Sequence, residues 1–187
     1  MGVIVATRSN GFSLSTTKGS GKAESIENSV GIYLPEFETM GLSVGDFSEA
    51  FLGLTVSKGA RELLHSVSPA GFCPTRGHKK GLIMVEGRSI KKDPSTDEVR
   101  RFSLLQGWFK PSVEDAFYQA KSITLEILER HSVTWVAIMH EPVQGAVLAI
   151  TSDGNKKLLI ARKAEPREGW FAREGAFAFR PPYPTTY

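Results

Sequence analysis

The sequence predicts an α+β fold, in which an antiparallel sheet in the C-terminal half packs against one long helix over residues 113–130. Three observations predict it. The helix segment carries apolar side chains at helical spacing. Residues 133–162 contain three apolar runs separated by turn residues, which is typical of an antiparallel meander. The total of 187 residues is the size of one domain, so we expect residues 1–187 to form a single domain.

The N-terminal residues predict two short strands that are separated by a polar segment. The apolar runs at residues 2–6 and 29–34 suit strands. Between them, residues 7–22 are rich in Ser, Thr and Gly and carry three bases and no acid. Because too few apolar groups are present to pack these residues, we expect a flexible arm or a long loop.

Two shorter helices are predicted before the middle of the chain. The first, near residues 46–54, has apolar side chains at helical spacing. The second, over residues 58–67, follows Ser57, which can cap its N-terminus. Residues 68–81 contain two prolines and three glycines, so we expect a loop there.

Two further strands and the long helix are predicted next. Residues 81–90 are apolar enough for a strand, and residues 99–109 begin with the alternation of another strand. The helix over 113–130 begins after Ser112, and Asp115, three residues on, completes a capping box.

The final third of the chain predicts mainly strands. The sequence SDGN at residues 152–155 contains the Asp-Gly pair that favours a tight hairpin turn. Residues 169–180 indicate one or two more strands, whereas the Pro-rich tail, residues 181–187, cannot continue a sheet because proline lacks a ladder donor. We expect the helix to pack on the sheet through Val136, Ile138, Val147 and Ile150.

The composition is that of a soluble globular protein, with 41% hydrophobic and 23% charged residues. The single cysteine, Cys73, cannot form an intramolecular disulfide, which fits a cytoplasmic or otherwise reducing compartment. No charged leader precedes the short apolar run at the N-terminus, so we expect no secretory signal peptide. No apolar stretch reaches the ~18–20 residues that span a bilayer, so we expect no membrane span.

The charges are unevenly distributed, although the net charge is only +3. An acidic segment, residues 24–49, carries six acids and no Lys or Arg. A basic segment, residues 76–101, carries eight Lys or Arg and four acids, and residues 151–187 carry seven and four. Two interpretations remain open: the two segments neutralise each other within one chain, or they bind partners.

Nucleic-acid binding is one function that this pattern predicts. Bases neutralise phosphates, and aromatic side chains stack on nucleobases. The last third of the chain interleaves both residue types, from Lys156 to Arg180. The residues that we expect to contact nucleic acid are Lys79, Lys80, Lys91, Lys92, Lys156 and Lys157.

Self-assembly is the other non-enzymatic function that the sequence predicts. Basic and Pro-rich ends on a compact core suit a structural subunit of a ring, a tube or a shell. The acidic segment of one copy would then meet the basic segment of the next copy, a heterologous contact. The expected partners are therefore further copies of the chain, other protein subunits, or nucleic acid.

A catalytic function is less well supported, and we expect no cofactor and no metal. His140 and Glu141 are neighbours between two apolar runs, but Pro142 and Gly145 follow them and indicate a turn. The alternative function is a small hydrolase of one of two kinds. A thiol-dependent protease would use Cys73, His131, His140 and Asp153, and a metal-dependent nuclease would use Glu86, Asp93, Asp97 and Glu98.

Overall fold

The computed structural model describes residues 31–43, 54–67 and 74–182. Those residues form nine strands and four α-helices. The strands are β1 (Ile32–Tyr33), β2 (Phe37–Met40), β3 (Leu54–Val56), β4 (Arg76–Lys80), β5 (Ile83–Glu86), β6 (Trp135–Ile138), β7 (Ala146–Asp153), β8 (Lys156–Lys163) and β9 (Gly175–Phe179). The helices are α1 (Lys58–Ser66), α2 (Thr96–Leu105), α3 (Val113–Ser122) and α4 (Leu125–Arg130). Residues 87–89 and 172–174 form short 3-10 turns.

The main sheet has seven strands in the order β1-β5-β9-β6-β7-β8-β3. Strands β6, β7 and β8 form the antiparallel meander that the sequence predicts. Strand β9 runs parallel to β6, and β3 runs parallel to β8, so the sheet is mixed rather than antiparallel. Strands β2 and β4 form a separate two-stranded ribbon. The predicted α+β composition is confirmed, although the main sheet also takes strands from the first half of the chain.

The turn between β7 and β8 is the tight hairpin predicted for residues 152–155. Asp153 pairs with Lys156, which leaves two residues in the turn. The first of these, Gly154, has a φ of 58°. Glycine adopts this conformation at no steric cost, so it suits the turn better than other residues do.

Both faces of the main sheet are covered, because side chains alternate along each strand. The first face packs against α1, α3 and α4, and the second face packs against α2 and residues 164–172. The core side chains of the first face include Val136, Ile138, Leu148 and Ile150. Val147 lies on the second face, so its predicted contact with the helix is wrong, and Leu148 occupies that place.

The single helix predicted over residues 113–130 is two helices, α3 and α4. Ser112 and Asp115 form the predicted capping box at the start of α3. Ile123 has extended backbone angles, and α4 starts two residues later. A helix end leaves carbonyl groups without partners, and here the Lys157 ammonium donates to two such carbonyls.

The strand predicted over residues 99–109 is wrong, because most of this segment lies in α2. Ser95 caps the helix, and Glu98 completes a capping box. Val99 and Ser103, which lie one helical turn apart, are both buried against the sheet. The buried positions therefore follow the period of a helix and not the period of a strand.

The helix predicted over residues 58–67 is confirmed as α1, where the Ser57 hydroxyl accepts the N–H of Ala60 at 3.2 Å. The loop predicted over residues 68–81 is wrong in part, because residues 76–80 form β4. Pairing with β2 satisfies the backbone of this glycine-containing segment.

Several predictions fall wholly or mostly outside the described residues. The arm at 7–22 and residues 183–187 of the tail lie outside them. The helix near 46–54 does too, except for Leu54, which starts β3. Within the described ranges, no helix combines the length and the apolar character needed to cross a membrane.

Candidate functional site

Lys79 and Lys80 point to opposite sides of β4, as neighbouring residues of a strand do. Lys79 is exposed, and its backbone pairs in register with Glu38 of β2. The Lys80 ammonium lies 3.0 Å from Asp115 Oδ1 and 3.4 Å from Glu114 Oε2. Because both carboxylates are buried, Lys80 belongs to an internal ion cluster.

This ion cluster at the start of α3 also includes Arg180 and Thr75. Arg180 Nη2 lies 3.5 Å from Asp115 Oδ2. Glu114 accepts hydrogen bonds of 2.8 Å from both the backbone N–H and the hydroxyl of Thr75. Each buried carboxylate thus has both a cation and hydrogen-bond donors, which offsets the cost of removing it from water.

Lys156 and Lys157 also point to opposite sides of their strand, β8. Lys156 is exposed beside the hairpin turn. Lys157 is partly buried, and its ammonium donates to the carbonyls of Lys121 and Ile123 at 2.8 and 2.7 Å. Burial lowers the pKa of Lys157, whereas the carbonyl dipoles at the end of α3 favour its charged form.

Lys91 and Lys92 are exposed in the loop that precedes α2. The Lys91 ammonium lies 2.6 Å from Glu98 Oε1. The hydrogen bond from Lys91, together with one from the Ser95 backbone, lowers the pKa of Glu98 to about 2. Lys92 makes no hydrogen bond or ion pair with any described residue.

The six lysines of the predicted nucleic-acid site do not share one surface. Lys80 and Lys157 lie at opposite ends of α3, and a helix of 10 residues is ~15 Å long. The ammonium groups with partners in the chain are those of Lys80, Lys91 and Lys157. The lysines whose ammonium groups make no hydrogen bond or ion pair with the part of the chain described are Lys79, Lys92 and Lys156. Nucleic-acid binding by these six residues stays a prediction.

The acidic and basic segments meet within one copy of the chain. Strand β2 belongs to the acidic segment, β4 belongs to the basic segment, and the two strands pair. Arg88 and Lys91 of the basic segment form ion pairs with Glu86 and Glu98 of the same segment. The two segments are therefore adjacent in one copy, and the ion pairs of Lys80, Arg88 and Lys91 among the described residues are with acids outside the acidic segment.

Two loop segments pack side by side on the second face of the main sheet. Gly87 contacts Ala172 so closely that an added Cβ would lie 2.4 Å from the alanine Cβ. The Trp170 backbone N–H donates to the Pro94 carbonyl at 2.9 Å, and its indole N–H donates to the Thr96 hydroxyl at the same distance. These contacts hold the loop that precedes α2 beside the loop that precedes β9.

We call the exposed basic and aromatic residues of these two packed segments the Phe171 surface, which comprises Lys92, Arg167, Phe171 and Arg173. The Phe171 side chain is the most exposed of the large apolar residues described, at 82%. The three bases have no ion pair within the described ranges. Such a surface combines a stacking group with phosphate-binding groups. The sequence places Arg167, Phe171 and Arg173 in the interleaved basic and aromatic residues of the last third, but of the four only Lys92 is among the six predicted contacts.

A second surface feature lies at the end of α2, and we call it the apolar patch. Leu104, Leu105 and Phe109 are 73%, 78% and 52% exposed. Phe109 is held in place because its backbone N–H and carbonyl pair with Arg180 at 2.8 and 2.9 Å. Three exposed apolar side chains within six residues exceed the scattered single ones that a monomer surface normally shows.

His140 is fully buried in the turn between β6 and β7. Its Nε2 accepts the Leu148 N–H at 2.9 Å, so Nδ1 carries the proton and donates to the Glu141 carbonyl at 2.6 Å. Burial lowers the pKa of His140 to about 4. Glu141 is exposed and pairs with Lys110. Both ring nitrogens of the imidazole are thus occupied by backbone groups, which suits a structural role.

Glu86 lies between a guanidinium and an imidazole. Its Oε2 is 2.6 Å from Arg88 Nε, and its Oε1 is 3.6 Å from His131 Nδ1. Sequence reasoning assigned Glu86 and His131 to two different hydrolases and therefore missed this pair. At 3.6 Å this contact is longer than a hydrogen bond.

The two predicted hydrolase sites are not assembled among the described residues. In those ranges, no three His, Cys, Asp or Glu side chains come together as metal ligands, which leaves the nuclease set dispersed. Cys73 lies outside the described residues, and Asp153 lies in the hairpin turn of β7. An open groove of about 530 Å³ lies beside α4, and its lining includes Glu129 and Glu174. These two carboxylates make the groove unsuitable for phosphate.

No protein-family model, curated protein or solved structure matches this chain. Function is therefore inferred from the two surfaces and the internal charge pairs.

Proposed function

We propose that this protein is a non-enzymatic subunit that associates with further copies of itself through the apolar patch. The observation that carries the proposal is the exposure of Leu104 and Leu105 at the end of α2 and of Phe109 four residues later. Burying one such side chain contributes roughly 1.5–3 kcal/mol, so the patch favours association whenever a matching surface is present.

A second copy is the occupant that suits the patch best. A two-fold interface places the same surface on both partners, and an apolar patch is complementary to itself, whereas a charged patch is not. The rim carries Arg101 and the Lys110–Glu141 ion pair, in keeping with the polar rim of protein interfaces. A stable dimer buries roughly 800 Å² per partner, so the patch would form the centre of the contact.

Association through the sheet edges is less well supported. The outer strands of the main sheet, β1 and β3, have two and three residues. Short edge strands offer few unpaired backbone groups to another chain. The proposed interface is therefore the end of α2 and not a sheet edge.

Light scattering coupled to size-exclusion chromatography tests the proposal. We expect the parent protein to have at least the mass of a dimer and the variant Leu104→Asp/Leu105→Asp to have the mass of a monomer. Phe171→Asp is the matched control, because it places the same charge on a different exposed apolar residue and should leave the mass unchanged. A parent protein that stays monomeric at the highest attainable concentration contradicts the proposal.

Single-stranded nucleic-acid binding is a second candidate function, and the Phe171 surface favours it. Stacking of a nucleobase on an aromatic side chain contributes ~1–3 kcal/mol, and Lys92, Arg167 and Arg173 would contact phosphates. Asp93 and Asp97 are exposed in the same region, so we expect the salt dependence to be shallow.

A labelled oligonucleotide titrated at several salt concentrations tests this candidate. Phe171→Ala should weaken binding about tenfold or more, whereas Phe109→Ala, which removes an exposed aromatic from the apolar patch, should not. Affinity that does not change with salt contradicts phosphate contacts. The Phe171 surface and the apolar patch consist of different residues. A variant of one should therefore fail its own assay and behave like the parent protein in the other.

A further inference from the structure

Arg162 of β8 has an unusual environment for a guanidinium. Its Cζ lies 4.3 Å from the ring centroid of Trp135 and 5.4 Å from that of Trp170. The two indoles lie 5.5 Å apart and are buried, at 7% and 2% exposure. The guanidinium therefore rests on a fixed aromatic platform, which also orients it.

The Arg162 guanidinium makes no hydrogen bond or ion pair with any described residue. The nearest carboxylates along the chain, Glu165 and Glu168, instead pair with Lys163 at 3.5 and 3.3 Å. A guanidinium has five N–H donors in a rigid fork, and stacking on a ring uses none of them. The guanidinium donors of Arg162 therefore have no partner among the described residues.

Arg162 is partly buried, and its guanidinium has no carboxylate partner among the described residues. Desolvation lowers the pKa of Arg162. Cation–π contact with the two indoles offsets only part of that cost. A bound anion would supply a counter-charge to the guanidinium.

We propose that Arg162, held over Trp135 and Trp170, is a binding site for the carboxylate or phosphate group of a small molecule. The planar fork of arginine matches such oxyanions with two parallel hydrogen bonds. Ile160, two residues earlier on the same face of β8, is partly buried and offers an apolar contact for the rest of the ligand. The proposal does not depend on self-association or on nucleic-acid binding.

Tryptophan fluorescence reports on this site directly. We expect inorganic phosphate and acetate, added at constant ionic strength in place of chloride, to give a saturable change in emission. Arg162→Met should abolish the change, since methionine covers the indoles without charge or donors. Arg162→Lys should weaken binding at least tenfold, because lysine keeps the charge and loses the fork.

Arg61→Ala is the matched control, because it removes an exposed arginine from α1, which packs on the opposite face of the main sheet, and leaves the aromatic platform intact. It should bind both anions like the parent protein. Circular dichroism establishes that each variant is folded, and if Arg162→Met is not, Arg162→Lys decides the question. The proposal is overturned if phosphate and acetate change the emission no more than chloride does. It is also overturned if Arg162→Lys retains the full response. Either result leaves Arg162 as a packing group on the indoles. A response to phosphate alone or to acetate alone supports the site and identifies its oxyanion.

Discussion

The Nε2 atom of His140 accepts the backbone N–H of Leu148 at 2.9 Å. The register of β6 and β7 runs from Trp135↔Thr151 to Ala137↔Ala149, so this N–H lies just beyond the last ladder pair. The imidazole replaces a backbone acceptor there and extends the connection between the strands by one hydrogen bond. His140 therefore stabilises the turn in its neutral form.

The neutral form of His140 makes stability depend on pH. Burial lowers its pKa from 6.5 to about 4, so the unfolded chain binds a proton that the folded chain does not. The contribution is complete above pH 6.5 and is lost as the pH falls toward 4. The maximum loss in the free energy of unfolding is about 3 kcal/mol.

Urea unfolding of the parent protein and of His140→Gln at a series of pH values tests this prediction. Glutamine keeps an acceptor and does not titrate, so the difference between the two proteins isolates the histidine from the carboxylates. We expect the parent to lose more stability than the variant between neutral pH and pH 4. Parallel curves would show that His140 is not a buried neutral group.

Lys80→Met should destabilise the fold strongly, because it removes a cation from two buried carboxylates. Breaking a buried ion pair from one side costs about 3–5 kcal/mol. Lys79→Met is the matched control on the same strand, and it should change the free energy of unfolding by less than about 0.5 kcal/mol, as exposed substitutions usually do. Equal effects in chemical denaturation would contradict the assignment of the two sides of β4.

Lys157→Met should destabilise the junction of α3 and α4, because the carbonyls of Lys121 and Ile123 lose a charged donor. A hydrogen bond to a charged group contributes about 1.5–3 kcal/mol. Thermal unfolding measures the effect, and Lys156→Met provides the exposed neighbour for comparison. If both variants unfold at the parent temperature, Lys157 does not cap α3.

Local signals predicted the parts of the fold that depend on neighbouring residues. The capping box of Ser112 and Asp115 and the Asp-Gly hairpin are both present where the sequence places them. A capping-box pattern was also present in the sequence at the start of α2, since Glu98 follows Ser95 by three residues. The short alternation at Phe102 and Leu104 obscured it and led to the wrong strand.

The remaining errors come from contacts between distant residues. The apolar stripe continues from α3 into α4, so nothing in it marks the break that Lys157 stabilises from 34 residues away. The partners of the six predicted lysines also depend on distant residues. Adjacent lysines on one strand point to opposite sides and therefore contact different residues. Strand parity could have corrected Val147, which lies three residues from Ile150 and therefore faces the opposite side.

Gly175 at the start of β9 provides a test of the aromatic platform. A Cβ at this position would lie 2.0 Å from Cζ2 of Trp135, a ring that also contacts Trp170 and Phe177. Gly175→Ala should therefore displace the indole and lower the free energy of unfolding by about 3 kcal/mol. Gly169→Ala is the control, because nothing lies within 4 Å of its added methyl group. Chemical denaturation gives both values, and an unchanged Gly175→Ala would mean that the Trp135 ring does not lie on the β9 backbone. Since Arg162 rests on that ring, Gly175→Ala should also weaken the anion response while Gly169→Ala retains it.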